Sequence, residues 1–382
     1  MCERVKLTGM EKDIEELLSR GVVEVIDKEH LRKRLENGET LRVKLGIDPT
    51  SPDIHIGRAI PLLKLRDFQN MGHTAVFIVG DATGVVGDTS DKESERPILT
   101  QEQVQSNMAS YFEQAFKILD PKKTETHYNS EWLSKLGFME LAKMANLFGL
   151  NEFSSREVIA RRIKAGQRVS FHELLYPIMQ GYDSVAVKAD VELGGTDQRF
   201  NLLAGRDIQK FYGQEPQDIM TTELLEGTDG RKMSSSWGNV INITNSPRDM
   251  FGKVMSINDE LIPKYFELCT RNDSWELEDI KKEPRQYKIS LAKDIITLYH
   301  SRDAALKAAD EFINIFSEDG VPEDIKTVTA QSNEPLVEIL LREGIVSSKT
   351  EFNRLNKEGA IKEIENGVYR IGKHRFLRIE SV

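Results

Sequence analysis

His55-Ile56-Gly57 is a candidate phosphate-binding segment, because it lies where a Pro- and Asp-rich turn gives way to helical spacing. Backbone N–H groups at a helix start attract anions, and an imidazole there can bond a phosphate oxygen. Gly57 lacks a side chain, so a nucleotide can lie against the backbone. A surface histidine beside a packing glycine is the open alternative for so short a motif.

Lys232-Met233-Ser234-Ser235-Ser236 is a second candidate for binding phosphates. It follows a Gly-Asp-Gly turn within 226–239, a loop that has no apolar periodicity. One cation and three hydroxyls in a mobile loop suit a polyphosphate. Taken alone, the segment equally fits a solvated loop without a ligand.

Tyr176, Gln180 and Asp183 form a polar stripe at helical spacing. At about 100° per residue the three side chains fall within roughly 60° of one another. A phenol, an amide and a carboxylate would thus face one small pocket, and Pro177 predicts that the helix begins there. Alternatively, the three groups satisfy one another inside a polar core.

The elements around these groups predict a parallel sheet. Residues 41–47 and 74–80 have the composition of buried strands, and 56–72 between them has that of a helix. Strand, turn, helix and strand in about 40 residues make a βαβ unit.

The rest of the chain predicts further elements in order. We expect two short helices in 12–39, a mainly helical stretch over 100–180, a strand at 184–193 and a helix through about residue 212. A short strand precedes the 226–239 loop, and 247–315 has a helical pattern. Residues 321–335 are polar and predict a linker before a small α/β tail.

Composition sets limits on the class of protein. The 382 residues are 39% hydrophobic and 30% charged, with a net charge of −10, which is normal for a soluble protein of two or three domains. The only cysteines, Cys2 and Cys269, predict neither a disulfide framework nor a metal site. The charged N-terminal stretch and the short apolar runs predict a cytoplasmic protein without membrane spans.

His55-Ile56-Gly57 and Lys232–Ser236, about 175 residues apart, resemble the HIGH and KMSKS pair of the class I aminoacyl-tRNA synthetases. The polar stripe, LGIDPTSPDIHIG, GDATGVVGDTSDKESER, VELGGTDQRFNLLAGR and the tail resemble tyrosyl-tRNA synthetases in particular. The resemblance covers essentially the whole chain.

The resemblance implies an α/β fold in three parts. A catalytic domain with a Rossmann-like parallel sheet takes 1–225, with a helical region inserted at about 100–180. The KMSKS-type loop and a helical, anticodon-side domain take 226–325. A small α/β RNA-binding domain takes 331–382.

The resemblance also implies the activity. The enzyme would activate L-tyrosine with ATP and Mg²⁺ and transfer it to tRNA(Tyr), as a homodimer with no protein-bound metal. Catalytic roles fall to His55, Lys92, Arg96 and Lys232. Tyrosine-binding roles fall to Gly46, Asp48, Asp88, Tyr176, Gln180, Asp183 and Gln198. ATP-binding roles fall to Thr50, His55, Gly57, Arg58, Gly195, Asp197, Lys232, Met233, Ser234, Ser235 and Ser236. Lys349, Arg354 and Lys357 would bind RNA. Without the resemblance, Lys92 and Arg96 lie in a mixed charged run typical of a solvated face.

Three positions depart from the family pattern. Arg58 replaces the last histidine of HIGH, which keeps a cation but removes a titratable group. Ser235 replaces the second lysine of KMSKS. Lys44 stands where many members place a tyrosine that touches the substrate hydroxyl, so its direction is an open question.

Three other functions stay open on the sequence. A tryptophanyl synthetase is the nearest alternative, which the stripe ending in Asp183 disfavours. A small nucleotidyltransferase also uses HIGH-like turns but needs no RNA-binding tail. A non-catalytic RNA-binding relative would account for Ser235 and Arg58.

Overall fold

The computed structural model describes residues 9–88, 100–316, 325–330, 334–365, 367–372 and 375–381. The chain divides into two compact units, 1–302 and 303–382.

In the described residues the strands are β1 Val22–Ile26, β2 Arg42–Ile47, β3 Thr74–Val79, β4 Thr124–Tyr128, β5 Val191–Gly195, β6 Asp218–Thr222, β7 Thr327–Ala330, β8 Ile361–Glu365, β9 Val368–Ile371 and β10 Arg375–Ser381. The α-helices are α1 Gly9–Ser19, α2 Lys28–Glu36, α3 Ile56–Asn70, α4 Asp81–Val86, α5 Gln101–Met108, α6 Tyr111–Ala115, α7 Ser130–Leu133, α8 Phe138–Ala145, α9 Leu150–Ser155, α10 Glu157–Lys164, α11 Phe171–Val187, α12 Arg199–Phe211, α13 Pro247–Met255, α14 Ile262–Cys269, α15 Leu277–Lys282, α16 Pro284–Tyr299, α17 Arg302–Phe316, α18 Leu336–Arg342 and α19 Lys349–Lys357.

The first unit is built on a sheet with the strand order β1-β6-β5-β2-β3-β4. All neighbours are parallel except β1, which runs antiparallel to β6. β3 (TAVFIV) is buried from its second residue onward, as expected for a parallel strand covered on both faces. The fold is thus α/β with a largely parallel sheet, as predicted.

Helix α11 carries the polar stripe and packs closely on α12. A Cβ on Gly181 would lie 3.2 Å from the Gly205 backbone N and Cα, and 2.7 Å from Ile208 Cδ1. The prediction that Pro177 begins the helix was wrong. α11 begins at Phe171, and the Ser170 backbone N–H donates to Glu173 Oε1 (2.8 Å), so Pro177 lies inside the helix.

One other predicted element was largely wrong in type, and two strands were missed within stretches correctly predicted to be mainly helical. The predicted strand at 184–193 is helical through Val187, and only its last residues belong to β5. The predicted pair of helices in 12–39 encloses β1, and the helical stretch over 100–180 contains β4. Both missed strands lie at the two edges of the sheet.

The second unit has its own sheet, of order β7-β10-β9-β8. β7 is parallel to β10, and the other pairs are antiparallel. β7 lies in the segment predicted as a linker. The core of this unit contains Ile339, Leu340 and Leu355 from α18 and α19, together with Ile371 and Leu377 from the sheet.

Membrane-spanning candidates were sought in the described residues. None of the helices there is both long enough and apolar enough to cross a bilayer.

Substituting Gly181→Ala tests the close packing of α11 on α12. The new methyl group meets backbone atoms, so we expect a loss of about 1–3 kcal/mol in the free energy of unfolding. Urea denaturation measures it. Gly252→Ala in α13 is the matched control, since its Cβ meets nothing within 4 Å. That control should gain about 0.5–1 kcal/mol from helix propensity. Equal effects at the two positions would contradict the close packing.

Candidate active site

A cavity of about 440 Å³ opens at the carboxyl ends of β2 and β5. Its lining includes all the predicted tyrosine- and ATP-binding residues within the part of the chain that the structure describes: Gly46, Asp48, Thr50, His55, Gly57, Arg58, Asp88, Tyr176, Gln180, Asp183, Gly195, Asp197, Gln198 and Lys232–Ser236. Lys92 and Arg96 lie outside the described residues. Segments far apart in sequence therefore meet at one edge of the sheet.

Gly46 provides the opening in the sheet surface. It is exposed, whereas Leu45 and Ile47 on either side are buried. A Cβ added at Gly46 would meet nothing within 4 Å, so the space above this strand is available to a ligand.

His55 is held as a neutral hydrogen-bond donor. It is the N-cap of α3, and its Nδ1 accepts from the Arg58 backbone N–H (3.3 Å). Burial lowers the pKa of His55 to about 3, and the cations of Arg58 and Lys232 lower it too. The proton of the neutral ring therefore resides on Nε2, which suits donation to a phosphate oxygen or hydroxyl.

The segment around His55 is joined through the backbone to residues 241 and 243, just beyond the Lys232–Ser236 segment. Ile56 N donates to Ile241 O (2.8 Å), and Ile243 N donates to Ile54 O (3.0 Å). The hydroxyls of Ser51 and Ser235 lie 3.3 Å apart. The segment around His55 and the chain just beyond Lys232–Ser236 thus run side by side.

The Lys232–Ser236 loop is also tied to the turn after β5. Lys232 Nζ lies 2.9 Å from Asp197 Oδ2. The Asn239 side chain holds two parts of the loop together. It accepts from Ser234 N (2.9 Å) and donates to Asp229 Oδ1 (2.7 Å). The cation of Lys232 is therefore positioned at the cavity wall.

Arg58 stabilises the turn between β2 and α3. Its guanidinium donates to Thr50 Oγ1 (2.7 Å), to the Asp48 carbonyl (3.3 Å) and to the Tyr111 hydroxyl (3.4 Å). These contacts use several N–H donors of one guanidinium, an arrangement that a histidine side chain does not have. This departure from HIGH therefore keeps a cation at the cavity and adds support for the turn.

Asp48 connects α11 to the end of β2. Tyr176 donates its hydroxyl to Asp48 Oδ2 (2.8 Å), and Thr83 donates to Oδ1 (2.8 Å). Burial raises the pKa of the Tyr176 phenol, as do the carboxylates of Asp48 and Asp88. Gln198 and Asp88 also line the cavity, and Gln198 Nε2 donates to Asp88 Oδ2 (2.5 Å).

Asp183 is a buried carboxyl held by two donors. Trp132 Nε1 donates to Oδ1 (2.7 Å) and Asn129 Nδ2 to Oδ2 (3.2 Å). Burial raises the pKa of Asp183 to about 7, against the lowering effects of the Lys44 ammonium and of the bonds from Trp132 and Asn129. Two fixed donors leave the remaining lone pairs to accept from a ligand in the cavity.

Sequence reasoning missed Asn129, Trp132 and Thr83. Asn129 directly follows β4, the strand that the helical pattern of 100–180 concealed. Had β4 been recognised, a polar residue at its carboxyl end would have been a candidate for the site, because parallel strands bring such residues to one edge.

Lys44 does not line the cavity. It is fully buried in β2, and its Nζ lies 2.9 Å from Glu192 Oε1 in the neighbouring strand β5. The open question about its direction is thereby answered: the ammonium is held within the protein beneath α11.

The predicted RNA-binding residues belong to the second unit. Lys349, Arg354 and Lys357 are exposed on α19. Lys349 pairs with Glu338 (2.9 Å), and Arg354 pairs with Glu358 (3.2 Å).

A search of the described residues for three or more His, Cys, Asp or Glu side chains placed to hold a metal ion finds no such group.

Comparison with known proteins identifies the class. Residues 36–317 match the family described as tRNA synthetases class I (W and Y). With a match over most of its length, and with the site just described, the chain belongs to this family.

Three proteins of similar sequence are tyrosine–tRNA ligases. The tyrosine–tRNA ligase of Nitratidesulfovibrio vulgaris is 44% identical over 387 aligned positions, which cover 95% of this chain and 97% of that protein. The tyrosine–tRNA ligase of Carboxydothermus hydrogenoformans is 45% identical, with coverage of 95% and 97%. That of Thermotoga maritima is 43% identical, with 96% of each chain covered.

Solved structures share the fold. A C-terminally truncated mitochondrial tyrosyl-tRNA synthetase from Coccidioides posadasii superposes with a TM-score of 0.65 at 23% identity, over 78% of this chain and 91% of that one. A tyrosyl-tRNA synthetase from Archaeoglobus fulgidus, solved with L-tyrosine, gives a TM-score of 0.61 at 22% identity, with coverage of 78% and 99%.

Asp183→Asn tests the raised pKa of Asp183. A carboxyl whose pKa is 3.8 when unfolded and about 7 when folded retains its proton longer in the native state. The wild type should therefore lose about 2–3 kcal/mol of stability relative to the variant between pH 5 and pH 8. Urea denaturation of both proteins at the two pH values measures this. A stability difference that is the same at both values would show that Asp183 titrates normally.

Proposed function

We propose that this protein is a tyrosine–tRNA ligase, which activates L-tyrosine with Mg²⁺-ATP and transfers it to tRNA(Tyr) in the cytoplasm. One observation carries the proposal: a buried carboxyl, Asp183, shares a cavity with the phosphate-binding segments around His55 and Lys232. A phenol sensor and a nucleotide site side by side suit a reaction that joins tyrosine to a nucleotide.

The phenol of tyrosine donates its hydrogen to Asp183 in this proposal. The two donors on Asp183, Trp132 and Asn129, fix its position, so the acceptor is preorganised. Phenylalanine would leave this buried carboxyl unpaired. A site built to bond a substrate hydroxyl rejects the analogue lacking it by about 10⁴–10⁵, a rule for which tyrosyl-tRNA synthetases are the established example.

The ammonium of tyrosine binds at the other end of the stripe. We assign its acceptors to the Tyr176 hydroxyl, the Gln180 amide oxygen and the Asp88 carboxylate. Gln198 donates to Asp88 and holds that carboxylate at the wall. Asp48 accepts from the Tyr176 hydroxyl and holds that phenol in place. Asp48, Gly46 and Gln198 complete the tyrosine site.

ATP binds across the carboxyl ends of β2 and β5. His55 Nε2 donates to the phosphates, with Thr50, Gly57 and Arg58 at the same helix start. Lys232 and the three serines bind from the opposite loop, and Gly195 and Asp197 receive the ribose. Mg²⁺ arrives with the nucleotide and is held mainly by phosphate oxygens. The sequence prediction that Lys92 and Arg96 close over the pyrophosphate remains part of the proposal.

The first step requires positioning more than proton transfer. The tyrosine carboxylate attacks the α-phosphorus, an O–P bond forms, and the bond to pyrophosphate breaks. The nucleophile is already ionised, so no general base is needed. Lys232 and the neutral donor His55 stabilise charge that develops on the phosphate oxygens. In the second step a terminal ribose hydroxyl of the tRNA attacks the activated carbonyl and AMP leaves.

A homodimer is the assembly we propose, with its interface in the helical region between 130 and 171. Several large apolar side chains in this region are exposed. Phe138 is 80% exposed, Leu150 70% and Phe171 75%. Apolar surface of this kind on neighbouring helices is typical of a protein interface.

Residues 331–382 form the proposed RNA-binding domain. Exposed cations on α19 (Lys349, Arg354, Lys357) are suited to phosphate contacts. Two of them pair with carboxylates on the protein surface, and such surface pairs are weak enough to exchange for a phosphate.

Amino-acid-dependent ATP–pyrophosphate exchange tests the proposed function. Among the twenty amino acids, tyrosine alone should support exchange. Asp183→Asn should lower kcat/KM for tyrosine by at least about 100-fold, since the amide presents a donor towards Trp132 or Asn129 and weakens the phenol contact. The KM for ATP should stay near the wild-type value. Exchange with tryptophan would refute the tyrosine assignment, and normal exchange in the variant would refute the role of Asp183.

Deletion of residues 331–382 tests the division of labour. We expect ATP–pyrophosphate exchange to persist and aminoacylation of tRNA(Tyr) to fall. Lys349→Gln/Arg354→Gln/Lys357→Gln in the full-length chain should raise the KM for tRNA without altering exchange. Lys281→Gln/Lys282→Gln, which removes two exposed lysines from α15, serves as the control. Equal losses of exchange and aminoacylation on deletion would contradict a separate RNA-binding role.

A further inference from the structure

A buried ion pair lies one residue layer below the cavity. Lys44 in β2 and Glu192 in β5 are register partners in adjacent parallel strands. Lys44 is 0% exposed and Glu192 1%. Two positions further along each strand, on the same face, are Gly46 and Gly194, which line the cavity. The ion pair therefore supports the layer on which a ligand lies.

The Lys44 ammonium uses its three donors on one group of acceptors. Its Nζ lies 2.9 Å from Glu192 Oε1, 2.8 Å from Ser184 Oγ and 2.9 Å from the Gln180 carbonyl oxygen. Ser184 and Gln180 are one turn apart on α11, so the ammonium connects this helix to the sheet.

Glu192 completes the network as an acceptor. Its Oε1 also accepts from Gln180 Nε2 (3.1 Å), and its Oε2 accepts from Ser184 Oγ (3.2 Å) and from Gln217. Gly205 on α12 leaves the space for this network, since a Cβ there would lie 2.6 Å from Gln217 Nε2.

An ionised carboxylate can only accept hydrogen bonds, and this decides how the Gln180 amide is turned. With Nε2 bonded to Glu192, the amide oxygen is the atom that remains for the cavity. An amide turned the other way would bring its oxygen against the carboxylate and present N–H groups to a cationic ligand. The Lys44 ammonium is the counter-charge that offsets the cost of burying the Glu192 carboxylate.

We infer that Lys44 and Glu192 are positioning residues for the amino-acid site, because they fix the Gln180 amide with its oxygen towards the substrate ammonium. The inference rests on the proposed function, in which Gln180 accepts from that ammonium. Neither residue touches the substrate, and both act through Gln180.

Two double variants separate positioning from simple structural support. Removing one member alone would leave a buried charge unpaired and endanger folding. K44M/E192M removes both charges and the acceptor for Gln180. K44M/E192Q removes both charges but keeps an amide oxygen that can accept from Gln180 Nε2.

Calorimetric titration of two ligands gives the readout. Tyrosine carries the ammonium, and 3-(4-hydroxyphenyl)propionate lacks it but keeps the phenol and the carboxylate. For K44M/E192M we expect tyrosine to bind about tenfold more weakly, the loss expected for one hydrogen bond to a charged group. The binding of the analogue should be unchanged. K44M/E192Q should recover most of the tyrosine affinity.

R162M/E173Q provides the matched control. Arg162 on α10 and Glu173 on α11 are another buried ion pair (2.7 Å), and neither lines the cavity. This variant should lower thermal stability and leave the affinity for both ligands unchanged.

Three results would overturn the inference: equal weakening of both ligands by K44M/E192M, unchanged tyrosine binding by that variant, or no recovery in K44M/E192Q. Failure of the wild-type protein to bind tyrosine is a different result, since it would refute the proposed function itself.

Discussion

The cost of leaving a buried polar group unpaired governs the arrangement around α11. This helix places the buried side chains of Tyr176, Asp183 and Ser184 and the half-buried side chain of Gln180 against the sheet. Their partners come from three segments. Asp48 after β2 accepts from Tyr176, and Glu192 in β5 accepts from both Gln180 and Ser184. Trp132 and Asn129, which follow β4, donate to Asp183. Because an unpaired buried group costs about 1–3 kcal/mol, these pairings favour one orientation of the helix.

The cost of unpaired polar groups also distinguishes two nearby buried carboxyls, Glu192 and Asp183, which have different partners. Glu192 faces a lysine at 2.9 Å, whereas the donors to Asp183 among the described residues, Trp132 and Asn129, are neutral. The pKa of Asp183 is therefore raised, mainly by burial. A paired charge suits a structural role, and a less satisfied acceptor suits ligand recognition. The two roles follow from differences in partners, not in residue type.

Much of the site was predictable from the sequence, because its residues lie in short segments with distinctive composition. His55-Ile56-Gly57, the polar stripe and Lys232–Ser236 were each found on spacing and side-chain type, and the structure brings them to one cavity. The parallel sheet followed from the β2–α3–β3 unit. The roles assigned to these residues remain proposals until the exchange and binding assays are done.

The features that could not be predicted from the sequence depend on contacts between neighbouring strands of the sheet. β4 (TETHY) is a short edge strand whose polar residues hide any apolar alternation, whereas β1 (VVEVI) has the composition of a strand but is only five residues long between two helices. Missing β4 also hid Asn129 and Trp132. The pairing of Lys44 with Glu192 depends on strand order, since the two residues are 148 positions apart and meet only because β2 lies beside β5. The local sequence pattern does not indicate which strands are neighbours in the sheet.

The backbone hydrogen bonds between Ile56 and Ile241 and between Ile243 and Ile54 show how this part of the cavity wall keeps its dimensions. They hold the segment around His55 beside the chain just beyond Lys232–Ser236 without using any side chain. Replacing the side chain of Arg58 or Ser235 would leave the donors and acceptors of these bonds in place. The main chain thus sets the spacing of the two segments, and the side chains set the chemistry presented to the cavity.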